Sequence, residues 1–415
     1  MGFVDPLAAI IVSICFLGVM LYKRVNLGIA LNATALLLAL LSLNWQEIPP
    51  VIFETTIDLL TISVVLATFV IMLLSQLYKE TGLINDLSES LIRIIKNSKI
   101  ASSILPAVVG LLPVAGGALM SAPLVDLEAE KLGLKPEKKA YVNLWFRHVI
   151  FPVYPINQVL ILTATLTGVA MPLIIMRQIP VIIVMIIVGY VTSLWKVSIV
   201  ENKENSNPSK ALDSALKSLL VSFSPILATI FMVVGLALAG IGLAEQGLDV
   251  LMASFTGLII LIAISKPSLQ TFAKPLKGWG IYGITLATYG AFFLRNTMIA
   301  TGISEIFRTL VTNGNVNIIL VLMVLPSVMG VVTGSPSGGV AVSVPILAAI
   351  LTTFSPKTAS LIYMSAFLGY LITPIHLCFA FTADYFRCSL NKVYKYLIPS
   401  FLITFTTALL IYFLI

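Results

Sequence analysis

Charge is what this sequence has least of. Asp, Glu, Lys and Arg make up 10% of its 415 residues, against 59% apolar residues and a mean hydropathy of +1.04. A soluble domain carries about a quarter of its residues as charges, so a water-soluble globular chain is excluded. Strict apolar/polar alternation is also missing, which argues against a transmembrane β-barrel. Cysteine is confined to Cys15, Cys378 and Cys388, an odd number without C-x-x-C spacing, so neither a disulfide framework nor a zinc motif is expected. The opening Met-Gly-Phe-Val-Asp-Pro lacks a basic n-region, so the first apolar run is expected to persist as a helix, with no soluble domain appended.

What is present is a series of long uncharged runs, among them 59–78, 179–195, 219–240 and 397–415. Each approaches the ~20 residues that span ~30 Å of hydrocarbon as helix. The expected class is an all-α polytopic membrane protein with about ten transmembrane helices. In such a chain the net charge of +7 reports orientation rather than nucleic-acid binding. With Lys23 and Arg24 on the cytoplasmic side, twenty of the 25 Lys and Arg residues fall inside, and both termini lie outside.

The chain reads as two copies of one plan. Thr81-Gly82 recurs as Thr301-Gly302, and "LPAVVG" from Leu105 recurs as "LPSVMG" from Leu325, each 220 residues on. "GGALMSAP" from Gly116 recurs as "GGVAVSVP" from Gly338, and "PIN" at Pro155 as "PIH" at Pro374. The first repeat covers residues 1–198, a hydrophilic cytoplasmic linker 199–217, and the second repeat 218–415. About five crossings per copy is an odd number, so the repeats are inverted, the arrangement of secondary transporters.

Two features recur within each copy. Residues 101–127 are too few for two spans and fit a re-entrant hairpin turning near Gly116-Gly117, and 316–352 is its counterpart in the second copy, turning at Thr333 to Gly339. Non-helical backbone at membrane depth requires a protein-lined cavity, and the N–H groups opening each returning arm favour an anion. Residues 140–172 and 357–388 fit helices interrupted at Tyr154-Pro155 and Thr373-Pro374. Freed carbonyls there would hold Na⁺ or be satisfied by the Tyr154 and Thr373 hydroxyls; the alternative is a pair of kinks without ligands.

The only histidines, His148 and His376, lie in these interrupted segments, and His376 takes the position of Asn157 in the other copy. They are candidates for H⁺ coupling or anion contact, the alternative being satisfaction by a carbonyl. Arg147, a basic residue within a span, is a substrate candidate unless it snorkels or pairs with a carboxylate such as Asp126. Asp384 and Arg387 suggest a local ion pair, and Glu128 to Lys139 a solvated loop. The mixed segments 83–95 and 303–311 read as interfacial helices.

The order of bundle, hairpin and interrupted helix, repeated, resembles the ion-transporter superfamily of secondary carriers, which includes citrate and dicarboxylate carriers, gluconate permeases and arsenite or Na⁺/H⁺ exchangers. "LPVAGGALMSAP" with "LWFRHVIFPVYP" is similar, more closely, to an uncharacterised prokaryotic membrane-protein family within it. The resemblance covers nearly the whole chain. It implies an elevator-type carrier in the prokaryotic cytoplasmic membrane, with a scaffold that often dimerises. It also implies a substrate site between the hairpin tips and interrupted helices. On this chain the tips are Gly116, Gly117 and Ser121, then Ser335, Ser337, Gly338, Gly339 and Ser343. The breaks contribute Pro155 to Asn157 and Pro374 to His376. Neither tip carries the Ser-Asn-Thr triplet of the dicarboxylate carriers, so citrate- or succinate-like substrates and their two-sodium scheme do not carry over.

The expected function is therefore secondary transport of a small anion coupled to Na⁺ or H⁺, with no other cofactor, no nucleic acid, and lipid and a second copy as partners. Arg147 and two histidines as the deep groups favour an anion over a cation/H⁺ antiporter, which places carboxylates at the midplane. An intramembrane enzyme is the remote alternative, since Gly-x-Ser-Gly and Gly-x-Gly-Asp signatures are absent. A channel lacks its filter run.

Overall fold

Proline and glycine placement, more than hydropathy, cuts this chain into its elements. A computed structural model describes residues 4–112, 117–197, 208–239, 243–302, 317–351 and 353–414; Gly116, residues 199–207 of the linker and the segment 303–311 lie outside them. Among the described residues there is helix and no strand. The first group is α1 (Pro6–Tyr22), α2 (Leu27–Ser42), α3 (Ile48–Ile57), α4 (Leu59–Glu80) and α5 (Leu83–Ile94). It is followed by α6 (Ser98–Gly110), α7 (Ala118–Lys131), α8 (Pro136–Val149), α9 (Gln158–Thr167) and α10 (Met171–Ser193). After the linker come α11 (Pro208–Leu238), α12 (Leu248–Ser265), α13 (Leu269–Ala273) and α14 (Trp279–Ala300). The chain closes with α15 (Ile318–Thr333), α16 (Pro336–Ile350), α17 (Pro356–Ile372), α18 (Leu377–Tyr385) and α19 (Leu390–Leu414).

Seven helical stretches among the described residues are long and apolar enough to cross a membrane, compatible with a polytopic membrane protein. That is fewer than the ten expected. Helices α1 and α2 have 17 and 16 residues, about 25 Å at 1.5 Å per residue, and fall short on length alone. Two of the seven are the composite stretches 136–167 and 356–385, each broken in its middle.

The hydrophilic linker is shorter than its composition suggests. Pro208 starts α11, because proline's fixed φ suits the first turn of a helix, so 208–217 belong to a 31-residue helix. Segment 83–95 is the helix α5, capped by Gly82 in the left-handed region (φ 79°) and packed on α11. The charged stretch 128–139 is not a solvated loop. Glu128 is buried against Lys131 at 2.8 Å, and buried Lys139 reaches Asp126 at 2.5 Å and Glu130 at 3.4 Å, so ion pairing brings these groups into the α7–α8 contact.

Contacts between elements form reciprocal pairs. Helix α4 packs on α12 as α14 packs on α2; α6 packs on α7 and α8 as α15 packs on α16 and α17. The short helix α9 packs on α16, and α18 packs on α7. Close approach depends on glycine at particular points. A Cβ on Gly110 would strike the Arg147 carbonyl, and one on Gly330 the Ala366 carbonyl.

Candidate functional site: a cavity between two hairpins and two helix breaks

The hairpins come first. Arms α6 and α7 meet near Leu111 and Gly117, and arms α15 and α16 meet at Gly334 and Ser335. Gly334 has φ 59°, which terminates α15 in the left-handed conformation glycine adopts without strain. A Cβ there would stand 3.1 Å from Ile375, so the tip lies directly against the second helix break. Thr333 Oγ1 donates to the Ser335 carbonyl at 2.9 Å, fixing the turn, while Ser335 Oγ caps α16 by accepting from Gly338 N at 3.4 Å.

Each interruption contains proline, Pro152 and Pro155 in the first and Pro374 in the second. Helix α8 ends at Val149, a 3-10 turn covers Phe151–Val153, and α9 starts at Gln158 with Asn157 as cap, whose Oδ1 accepts from Val159 N at 2.8 Å. Helix α17 ends at Ile372, and α18 starts at Leu377 with His376 in the cap position but making no side-chain cap bond. The carbonyls of Tyr154 and Thr373 are not left free. They accept from Asn157 N at 2.9 Å and His376 N at 3.1 Å, closing a tight turn over each proline. The Thr373 hydroxyl donates across to the Val331 carbonyl on α15 at 3.1 Å, tying break to hairpin.

These elements enclose a cavity of about 250 Å³. One hairpin contributes Gly110 and Leu111, the other Gly334 to Ser337; the breaks contribute Tyr154, Ile156 to Val159, and His376 to Cys378; Arg147, Phe151, Tyr370 and Ile284 complete the wall. Three helix N-termini, those of α9, α16 and α18, open onto it with their caps and first residues. Their dipoles make the wall electropositive. Among the described residues, no Asp or Glu lines it.

Among the described residues Arg147 is the one full charge in the wall, 1% exposed. Its Nη2 donates to the Leu112 carbonyl at 3.3 Å, while Nε and Nη1 have no partner among the described residues. Asp126, the carboxylate considered for it in the sequence, is engaged by Lys139 instead, since α7 carries Asp126 towards the charged end of α8 and away from Arg147. The pair Asp384 and Arg387 does not form a salt bridge among the described residues either. Helix α18 stops at Tyr385 and Arg387 turns into the left-handed region (φ 50°), so helical i,i+3 spacing no longer applies.

Of the other candidates, Ser335, Ser337, Asn157, Tyr154 and His376 reach the cavity wall. His148 stands one shell behind, its ring 4.9 Å from that of His376 and edge-on to it. Ser121, Ser343, Gly117, Gly338, Gly339, Pro155, Thr373 and Pro374 do not line it. Ser121 and Ser343 are buried within the returning arms, beyond the cavity wall. Ser121 Oγ donates to Asn143 Oδ1 at 2.6 Å, and Asn143 Nδ2 donates to the Ala118 carbonyl and Thr382 Oγ1, joining α7, α8 and α18. Gly338 and Gly339 serve packing: a Cβ would meet Thr333 at one and Ala366 at the other. Gln158, Tyr370 and Cys378 are wall residues that sequence reasoning passed over. The i,i+2 relation of Cys378 to His376 was the only signal available for the thiol.

No curated protein matches the chain. A family model described as "Protein of unknown function (DUF401)" matches residues 6–415, and the chain belongs to that family.

Proposed function

We propose that the protein is a secondary active transporter that moves a small anionic solute across the membrane by alternating access, with Na⁺ or H⁺ as coupling ion. The observation that carries this reading is Arg147. Its guanidinium is buried with two nitrogens unpartnered among the described residues, at the wall of a cavity that three helix N-termini face and no carboxylate lines. An unpaired buried cation is costly, and a ligand carboxylate, phosphate or sulfonate would form a bidentate, charge-assisted pair with the guanidinium. The missing carboxylates weigh against a cation/H⁺ antiporter, and no nucleophile–base pair of a hydrolase is needed to explain the site.

Two inverted repeats and elevator-type movement belong to the same proposal. Helices α4 and α14 begin and end 220 residues apart, and the reciprocal contacts α4–α12 with α14–α2, and α9–α16 with α18–α7, are those a two-fold duplication generates. The glycine contacts Gly110–Arg147 and Gly330–Ala366 are related by the same offset to within one residue. In this scheme the hairpins and broken helices form the moving core, the remaining helices the scaffold, and a second copy the dimer partner, in a prokaryotic cytoplasmic membrane. The ion-transporter superfamily resemblance supports that division.

The test is a thermal-shift screen of purified protein with a panel of carboxylates, phosphorylated compounds and sulfonates, with and without Na⁺, at two pH values. A ligand that binds only the folded state raises the midpoint in proportion to RT ln(1 + [L]/Kd). Stabilisation by one anion class is expected. A response to cations or pH alone, indifferent to every anion, would favour the antiporter.

A further inference from the structure

Cys378 borders the cavity, yet the anion reading gives it nothing to do. Its thiol and the rings of His148 and His376 form a compact cluster whose donor atoms all lie within 4.8 Å of one another. The three residues are 6%, 0% and 1% exposed. They come from opposite halves of the chain, His148 from α8 and the other two from the start of α18.

The two imidazoles are prepared differently. His148 Nδ1 donates to the Leu144 carbonyl at 2.7 Å, so the Nε2 lone pair faces away from the backbone, where it accepts a long hydrogen bond of 3.3 Å from the Tyr370 hydroxyl that a metal ion would displace. A backbone carbonyl fixing the tautomer in this way is the usual support of a metal-bound histidine. His376 lies beside the Leu371 carbonyl without hydrogen-bond geometry, and both its nitrogens lack a partner among the described residues. A fully buried imidazole with no partner leaves a desolvation cost unmet.

We propose that His148 Nε2, a ring nitrogen of His376 and Cys378 Sγ bind one soft metal ion, monovalent copper in preference to zinc. A thiolate with two imidazoles is a soft donor set. With metal–donor bonds of about 2.0–2.3 Å, donors around a shared ion stand about 3.5–4 Å apart, so the present cluster closes by side-chain rotations of about 1 Å. Binding requires the thiolate, and the Cys378 proton leaves through the cavity to solvent. A monovalent ion with one thiolate and two neutral imidazoles is electrically neutral. A divalent ion would leave a net positive charge beside buried Arg147, which is unfavourable at membrane depth. The bound ion would staple α8 to the second helix break.

This site does not depend on the anion reading and is tested separately. Full-length protein in detergent, stripped with chelator, is titrated with Ag⁺ as a redox-stable probe for monovalent copper, and with Zn²⁺. The background is Cys15→Ser/Cys388→Ser, leaving Cys378 as the sole thiol. The expected result is one Ag⁺ per chain, a thiolate-to-metal absorption band and a raised melting temperature. Adding either Cys378→Ser or His376→Gln weakens binding roughly 100-fold or more, since loss of even an outer-shell partner costs ~10–100-fold. Melting temperatures without metal report whether each variant is folded, and if Cys378→Ser is not, His376→Gln decides. Absence of stoichiometric Ag⁺ binding, or binding unchanged in His376→Gln, overturns the site. Tighter Zn²⁺ than Ag⁺ binding overturns the monovalent assignment. None of these outcomes alters the anion screen.

Discussion

Replacing Arg147 by Met separates stability from function. Met matches the length of the Arg stem, so packing on α6 through Gly110 is retained while the charge is removed. The wild-type guanidinium gains one weak bond to the Leu112 carbonyl at 3.3 Å and leaves Nε and Nη1 unpartnered among the described residues. Replacing buried ionic groups by apolar ones of similar volume ranges from neutral to stabilising by about 1–4 kcal/mol. Subtracting roughly 1 kcal/mol for the lost bond leaves an expected change between about −1 and +3 kcal/mol of stability in anion-free buffer, read by SDS-titration unfolding. Anion binding should move the other way. Two charge-assisted bonds of about 1.5–3 kcal/mol each are lost, so the affinity for the stabilising anion falls at least ~100-fold. A variant that is strongly destabilised without ligand, yet keeps the anion response, would refute the assignment of Arg147 as an unpaired anion receptor.

Gly110→Ala and Gly330→Ala should each destabilise by about 1–3 kcal/mol, because the added methyl meets a backbone carbonyl that cannot yield; guanidinium-free thermal unfolding of the two variants side by side checks this. Asn143→Leu removes the bonds linking Ser121, Ala118 and Thr382, and a loss of about 1–3 kcal/mol is expected in the same assay. Gly334→Val forces a β-branched residue into positive φ and against Ile375, so anion-induced stabilisation should be lost before overall helicity, compared by thermal shift and circular dichroism.

Much of the architecture was legible because proline and glycine act locally. Pro155 and Pro374 lack a backbone donor within the two helix breaks, and Gly334 ends α15 by its φ, so the breaks and the turn at Gly334 were readable from sequence. Side-chain partners were not legible. Arg147 and Asp126 are near in sequence, but α7 and α8 run in a hairpin that pairs Asp126 with Lys139. Asp384 and Arg387 have helical spacing in a stretch where the helix has already ended. Ser121 and Ser343 share the tip motif, yet helix geometry carries them past the cavity into the arms. The meeting of His148 with His376 and Cys378 is purely tertiary, produced when two breaks face each other across the core.

The most direct measurement is uptake by proteoliposomes of the anion class selected in the thermal screen, driven by an imposed Na⁺ or H⁺ gradient, with Arg147→Met beside the wild type. Gradient-dependent accumulation in the wild type, absent in the variant, is the expected result. Accumulation no greater than in protein-free liposomes, together with cation-driven H⁺ movement that needs no anion, would contradict an anion carrier.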